Sequence, residues 1–171
     1  MGRQCCPNNH GLAVKKCVPD AISGFSLPTE QDFDPYGGDL DARSACRNFG
    51  GRSIADALER FRGNPLYSQE DFMFMGARAF AFYFPVLEAF LQEFRVSDAG
   101  NESMAALLGW SIAKQLQSSS AADLAPIHPA IRALADYVCS HTELLGSAPA
   151  EQQRIAENWQ SVYQALDSGA S

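Results

Sequence analysis

The stretch YSQEDFMFMGARAFAFYFPVLEAFLQEF, Tyr67 to Phe94, decides the fold that the sequence predicts. It holds seven of the eleven Phe residues of the chain. Ser68 and Asp71 are spaced as in a capping box and predict a helix start. Gly76 or Pro85 is expected to break or kink the helix. The stretch predicts a core helix pair, since apolar side chains recur at helical spacing at Phe72, Met75, Ala79, Tyr83, Val86, Phe90 and Phe94.

Helices are also predicted on both sides of this stretch. Asp39 or Asp41 is expected to cap a short helix, and Ser53 a second helix that Pro65 stops. Three more helices are expected to begin near Asn101, Pro129 and Pro149. The predicted fold is therefore all-α, a single compact domain of about five to seven helices over residues 39–168. An irregular segment, residues 1–38, is expected to precede it, since it is rich in Pro and Gly and has no sustained periodicity.

The net charge and the length of the chain limit the kinds of partner that it is expected to bind. The chain has 171 residues and a net charge of −7, so it lacks the excess of Lys and Arg that phosphate neutralisation requires. We therefore expect neither a nucleic-acid partner nor an anionic membrane partner. No apolar run approaches the ~20 residues that span a bilayer, and no signal peptide is visible. The sequence favours a cytoplasmic protein whose charge serves solubility or a cationic partner.

The cysteines do not indicate a disulfide scaffold, since they are five in number and scattered along the chain. Four N-terminal residues carry atoms that zinc prefers: Cys5, Cys6, His10 and Cys17. Their spacing matches no common zinc module, and adjacent cysteines chelate one tetrahedral ion poorly, so we predict no metal and no cofactor. The start MGRQCC has Cys6 where the myristoylation pattern wants Ser or Thr, which argues against acylation.

An acidic segment from Glu30 to Asp41 holds five carboxylates and no base. Asp32 and Asp34 are spaced as at the start of a calcium loop, but Tyr36 takes the third ligand position and Arg43 the place of the bidentate Glu. Two interpretations remain: a solvated acidic loop, or an anionic patch for a basic partner. We predict the following partner-binding residues: Glu30, Asp32, Asp34, Tyr36, Asp39, Asp41, Glu70 and Asp71.

No common catalytic motif is present, whether of the P-loop, dinucleotide-binding, serine-hydrolase or zinc-protease type. His141 is expected on the apolar face of its helix, as a core histidine. An active site assembled from scattered residues remains an alternative, with these candidates: Glu70, Asp71, Arg78, Tyr83 and His141. No catalytic residue is therefore assigned, and the protein is not expected to be an enzyme.

Three segments resemble a family of small bacterial proteins of unknown function. They are NFGGRS at 48–53, NPLYSQEDFMFMG at 64–76 and AFAFYFP at 79–85. The family shares the patterns "G-[KR]-S", "YxQEDFMWM" and "FxYYLP". Phe74 stands here where the family often has Trp, and Phe84 where it often has Leu. The resemblance covers about residues 40–95. It implies an immunity protein, since small acidic bacterial proteins of this kind are often encoded beside toxins.

The sequence therefore leads to one main hypothesis. The chain is predicted to be a binding protein, an immunity-type inhibitor that covers the cationic surface of a toxin or effector. The alternatives are a small enzyme without a recognisable motif and a homo-oligomeric structural protein whose aromatic segment forms the interface. The oligomeric state is left open.

Overall fold

The computed structural model describes residues 26–94, 104–119 and 121–168, and within these ranges the chain is helical without a strand. The helices are α1 (Glu30–Phe33), α2 (Leu40–Phe49), α3 (Ile54–Gly63), α4 (Pro65–Phe74), α5 (Ala77–Glu93), α6 (Met104–Ser118), α7 (Ala121–Leu124), α8 (His128–Ser140), α9 (Thr142–Leu145) and α10 (Pro149–Ser168). A 3-10 turn, Ala125–Ile127, joins α7 to α8. The all-α prediction is confirmed. Seven of the described helices have ten or more residues, and the one-turn helices α1, α7 and α9 bring the total above the expected range.

Short-range capping bonds set several helix starts where the sequence predicted them. Asp39 Oδ1 accepts hydrogen bonds from the backbone N–H of Asp41 at 2.8 Å and of Ala42 at 3.2 Å, which begins α2. Ser53 Oγ accepts one from the N–H of Asp56 at 3.1 Å and begins α3. The start predicted at Asn101 lies outside the described residues.

The start of α4 differs from the prediction. Asn64 Oδ1 accepts a hydrogen bond from the Tyr67 N–H at 3.3 Å, and Pro65 occupies the first helical turn. An Asn acceptor followed by Pro satisfies a free N–H and presets φ. The helix therefore begins before Ser68, and the capping box predicted for Ser68 and Asp71 is wrong. Both residues lie buried within α4.

The core is built around α5. All of its residues from Ala79 to Leu87 are buried. Phe72 of α4 packs edge-on against the rings of Phe49, at 5.1 Å between centroids, and Phe61, at 5.5 Å. The break between α4 and α5 falls at Met75–Gly76, and α5 continues through Pro85. The predicted core pair of helices is therefore α4 and α5.

Two other predictions are corrected by the packing. Residues 30–33, expected to be irregular, form α1 after Thr29, and Phe33 is fully buried in the core. His141, expected in the core, ends α8 at a half-buried position. Its Nδ1 lies 2.7 Å from the Tyr137 carbonyl oxygen, and its ring stacks on that of Tyr137.

The C-terminal half packs through α6 and α10. The indole N–H of Trp159 donates to the Ala105 carbonyl at 2.8 Å, and Asn158 Nδ2 donates to the Ala106 carbonyl at 2.9 Å. The helix expected to begin near Pro149 is α10, and its apolar residues Ile155, Trp159, Val162 and Leu166 are buried. Of the helices in the described ranges, none combines the length and apolarity that a bilayer crossing requires.

Candidate functional site

The loop between α1 and α2 is closed by one of its own carboxylates. Asp34 Oδ2 accepts hydrogen bonds from the backbone N–H of Gly38 at 2.7 Å and of Asp39 at 3.2 Å. Gly37 and Gly38 have φ of 72° and 102°, a region that favours glycine. This turn holds the Tyr36 side chain in solvent, where 99% of its surface is exposed.

Two more carboxylates of the acidic segment have structural roles. Asp32 Oδ2 accepts from Thr29 N at 2.7 Å and from Thr29 Oγ1 at 2.8 Å, which completes the capping box of α1. Asp39 caps α2. Hydrogen bonds within the chain therefore explain the presence of Asp32, Asp34 and Asp39 without a ligand. The same bonds fix the orientation of the three carboxylates.

A cleft of about 610 Å³ lies beside this loop, and we call it the acidic cleft. Its walls are the α1–α2 loop, the α4–α5 turn, the C-terminal end of α6, and α7. Among the described residues that line the cleft, Arg78 is the only base. The lining carboxylates are those of Asp32, Asp34, Asp39 and Asp123. Carboxylates outnumber bases four to one, so the cleft presents a negative potential to an incoming molecule.

The α4–α5 turn reaches the loop because of Gly76. Its N–H donates to the Phe33 carbonyl at 2.8 Å. A Cβ at this position would lie 2.4 Å from the backbone oxygen of Asp32 and 3.0 Å from Pro35 Cδ. Only glycine allows the two backbones to approach this closely.

Gln115 of α6 fixes the other side of the turn. Its Nε2 donates to the carbonyls of Phe72 at 2.9 Å, Met73 at 3.1 Å and Met75 at 2.6 Å. These carbonyls lie at the C-terminal end of α4, where helical partners run out. Ser119 Oγ donates in turn to Gln115 Oε1 at 3.0 Å. The buried amide therefore holds the turn in the position that shapes the cleft.

The cleft also has apolar surface. Phe74 lines it with 40% of its surface exposed, and Met73 and Pro35 lie beside it. Tyr36 stands between this cleft and a smaller adjoining hollow of about 500 Å³ that Glu30 and Arg43 line. Carboxylates around exposed aromatic rings suit a cationic side chain with an aliphatic stem.

Two ion pairs lie at the rim of the cleft. Arg78 Nε is 3.5 Å from Asp32 Oδ1, and Arg43 Nε is 3.8 Å from Asp34 Oδ2. Arg78 Nη2 also donates to Ser26 Oγ at 3.1 Å. Each pair is partly exposed to solvent and contributes little stability.

The structure brings four of the eight predicted partner-binding residues to this cleft: Asp32, Asp34, Tyr36 and Asp39. Glu30 lines the adjoining hollow, and Asp41 is exposed in the first turn of α2. Glu70 is exposed on α4 but lines neither depression. Asp71 is 5% exposed, which argues against direct contact with a partner.

Asp71 belongs instead to a polar cluster under the turn between α2 and α3. Asn48 Nδ2 donates to Asp71 Oδ2 at 2.9 Å, and Arg60 Nη2 donates to Asn48 Oδ1. Burial raises the pKa of the Asp71 carboxyl, an effect that the Asn48 hydrogen bond and the Arg60 charge oppose. Tyr83 OH donates to the carbonyls of Phe49 at 2.5 Å and Arg52 at 3.1 Å, and burial raises its pKa to about 12. The cluster ties α2, α3, α4 and α5 together.

The five residues considered for an active site do not meet in one depression. Arg78 lines the acidic cleft, whereas Asp71 and Tyr83 lie in the core, Glu70 faces solvent on α4, and His141 ends α8. Their positions give no support to the enzyme alternative. Among the described residues, no group of three or more His, Cys, Asp or Glu is placed to hold a metal ion. The N-terminal residues weighed for zinc or acylation lie outside the described ranges.

Sequence reasoning missed several residues that build the site. Gln115, Ser119 and Asp123 reach the cleft from α6 and α7, about forty residues or more along the chain from the α4–α5 turn, and no short-range pattern links them. The sequence predicted a break or kink at Gly76 or Pro85, and the break lies at Gly76; the contact of Gly76 with α1 was not predicted. The Asn64-Pro65 pair signalled the true start of α4. Comparison with known proteins adds no assignment: no family model, no curated protein and no solved structure matches this chain.

Proposed function

We propose that this chain is a binding protein that recognises a basic surface of another protein through the acidic cleft. The main support is the cleft itself, in which four carboxylates and one base surround exposed aromatic rings. The Asp34 hydrogen bonds hold the loop in shape before binding, so little conformational entropy is lost when a partner arrives.

The negative charge has a kinetic consequence. A net charge of −7 and a cleft rich in carboxylates attract a cationic partner over a distance set by ionic strength. Charge complementarity of this type raises association rates and sets orientation more than it raises affinity. Exposed tyrosine is enriched at interface hot spots, and Tyr36 is the natural anchor at this site.

The specific role we propose is that of an immunity-type inhibitor in a bacterial cytoplasm, which would cover the basic surface of a toxin. This extension depends on the sequence resemblance and is an analogy. Its test is genetic. Expression of the chain should protect a bacterial cell from the product of the adjacent gene, and protection should fail for variants that lose binding.

The binding test measures affinity for the product of the adjacent gene by biolayer interferometry. Charge reversal at Asp32, Asp34 and Asp39 is unsuitable, because these carboxylates hold the loop and cap helices. The better variant, which we call the cleft variant, neutralises three exposed carboxylates in and beside the cleft: Asp123→Asn in the cleft, Glu30→Gln in the adjoining hollow and Asp41→Asn in the first turn of α2. We expect affinity to fall by at least about tenfold, mainly through slower association. Tyr36→Ala should weaken binding further.

A matched control removes the same charge elsewhere. Glu143→Gln, Glu157→Gln and Asp167→Asn neutralise three exposed carboxylates on α9 and α10, which do not line the cleft. This control should bind nearly as tightly as the unmodified chain. Equal affinity for the cleft variant and the control would reject the cleft as the binding surface. Absence of any binding would reject the proposed partner.

A further inference from the structure

A second surface, separate in chemistry from the acidic cleft, lies on α4 and α6. Leu66 of α4 is 58% exposed and Trp110 of α6 is 43% exposed. Tyr67 and Phe74 of α4 are also exposed. Monomeric proteins rarely leave several large apolar side chains together in solvent, and Trp and Tyr are typical of interface centres. We call this surface the α4–α6 face: Leu66, Tyr67, Glu70, Phe74, Trp110 and Lys114.

Hydrogen bonds between the two helices show that the exposed residues form one face. Ser111 Oγ donates to Gln69 Oε1 at 2.8 Å, and four residues further along each helix Gln115 Nε2 donates to the Met73 carbonyl at 3.1 Å. The two helices therefore run side by side in the same direction. Glu70 follows Gln69 and Trp110 precedes Ser111. At 100° per residue, these two positions turn to the same side of the helix pair.

The charges on this face complement each other. Glu70 is exposed on α4, and Lys114, the only lysine among the described residues, is exposed on α6. The face therefore carries one acid and one base, whereas the whole chain carries −7. Because each copy has a net negative charge, two copies repel one another in most relative orientations. They do not repel one another where their neutral α4–α6 faces meet. A two-fold axis parallel to the helices lays α4 of one copy over α6 of the other, which brings Glu70 towards Lys114 of the second copy.

We propose that the α4–α6 face binds a second copy of this chain, as an isologous dimer with two Glu70–Lys114 pairs around an apolar centre. A helix of fifteen residues is about 22 Å long and helices pack about 10 Å apart. The face is thus at the small end of protein interfaces. The dimer is expected to be reversible and to form in the micromolar range.

The test is sedimentation velocity of the full chain from about 1 μM to about 200 μM, the range that such a small interface requires. The mass should rise from one chain towards two. Glu70→Lys and Lys114→Glu should each weaken dimerisation at least about tenfold by placing like charges opposite one another. The double variant, with the two charges exchanged, should recover it. Recovery is expected because the exchanged charges again lie opposite one another and the face is neutral again.

Trp110→Ser supplies an independent measurement at a position that is 43% exposed. It should abolish dimerisation and leave the circular dichroism unchanged. In the unmodified chain the emission of Trp110 should shift to shorter wavelength as concentration rises, while buried Trp159 does not respond. A monomer across the whole range would overturn the proposal. So would a charge-exchanged variant that remains monomeric, or a face that binds the adjacent gene product but not a second copy.

Discussion

Gly76 is the residue on which the shape of the acidic cleft depends. Its N–H bonds the Phe33 carbonyl at 2.8 Å, and a Cβ would stand 2.4 Å from the Asp32 carbonyl oxygen. Backbone atoms cannot move aside as the end of a side chain can. We expect Gly76→Ala to lower the free energy of unfolding by about 1–3 kcal/mol, the usual cost of overpacking. Urea denaturation measures it.

Gly63 provides the control for this change. It ends α3, and outside that helix no atom of the described residues lies within 4 Å of a Cβ built there. Gly63→Ala should leave stability unchanged or raise it by up to about 1 kcal/mol, since alanine favours the helix. If the two variants were equally stable, the close approach of α1 and the α4–α5 turn would not be what requires glycine.

Asp71 makes a prediction about pH. Its pKa is raised chiefly by burial, so the folded state holds the proton at pH values where the unfolded chain releases it. The folded state therefore binds more protons in that window, and the contribution of Asp71 to stability decreases as pH rises from the unfolded to the folded pKa. Asp71→Asn should remove this decrease. Thermal unfolding between about pH 3.5 and 7 measures this decrease, since the range begins near the reference pKa of an Asp carboxyl, about 3.9.

The control for the pH experiment is an exposed carboxyl, Glu143→Gln on α9. The difference in midpoint between the Asp71 variant and the unmodified chain should grow with pH and then level off. The same difference for the Glu143 variant should stay nearly flat. A flat difference for Asp71→Asn as well would mean that Asn48 and Arg60 fully offset the burial of the carboxylate.

At the scale of the element, the sequence predicted most helix bodies and several starts. Ser53 and Asp39 cap helices through bonds to residues two or three positions ahead, and such bonds can be recognised without knowledge of the fold. Ser68 shows the limit of that reasoning. Its spacing to Asp71 suits a cap, yet Asn64-Pro65 begins the helix earlier, and tertiary contacts bury Ser68 and Asp71.

The candidate site was likewise only partly predictable from the sequence. Asp32, Asp34, Tyr36 and Asp39 were identified because a run of acids without a base is visible in the sequence. The cleft was not, because its far wall comes from α6 and α7. The burial of Phe33, which anchors α1 in the core, also depends on α5 and could not be recognised within a segment of isolated prolines and glycines.

Gln115 joins α6 to the end of α4, and its substitution tests how much this contact contributes to stability. It donates to three carbonyls at the end of α4 from a buried position on α6. Gln115→Ala removes these donors and leaves buried oxygens unsatisfied, which costs about 1–3 kcal/mol. Hydrogen exchange should also quicken in the α4–α5 turn. Gln117→Ala on the exposed side of the same helix is the control and should change neither measurement.

At the scale of the whole molecule, charge and apolar surface are divided between two regions. Excess carboxylates gather around the acidic cleft, whereas the exposed aromatic residues of α4 and α6 lie beside one acid and one base. Phe74 belongs to both regions, since it lines the cleft and is exposed on α4. A cationic partner and a second copy therefore bind to different surfaces that share Phe74. We expect each binding event to influence the other through this residue.

The carboxylates gathered in and beside the cleft repel one another, and this repulsion opposes folding even though some of them also cap helices or close the loop. Added salt screens this repulsion, so the thermal midpoint of the unmodified chain should rise by a few degrees between about 10 mM and about 200 mM NaCl. The variant Glu30→Gln, Asp41→Asn, Asp123→Asn has three fewer negative charges, which changes the net charge from −7 to −4. Its midpoint should depend less on salt. The Glu143, Glu157 and Asp167 control has the same net charge but retains the cleft, so it should keep most of the dependence. Equal slopes for the two variants would show that total charge, rather than its concentration around the cleft, sets the repulsion.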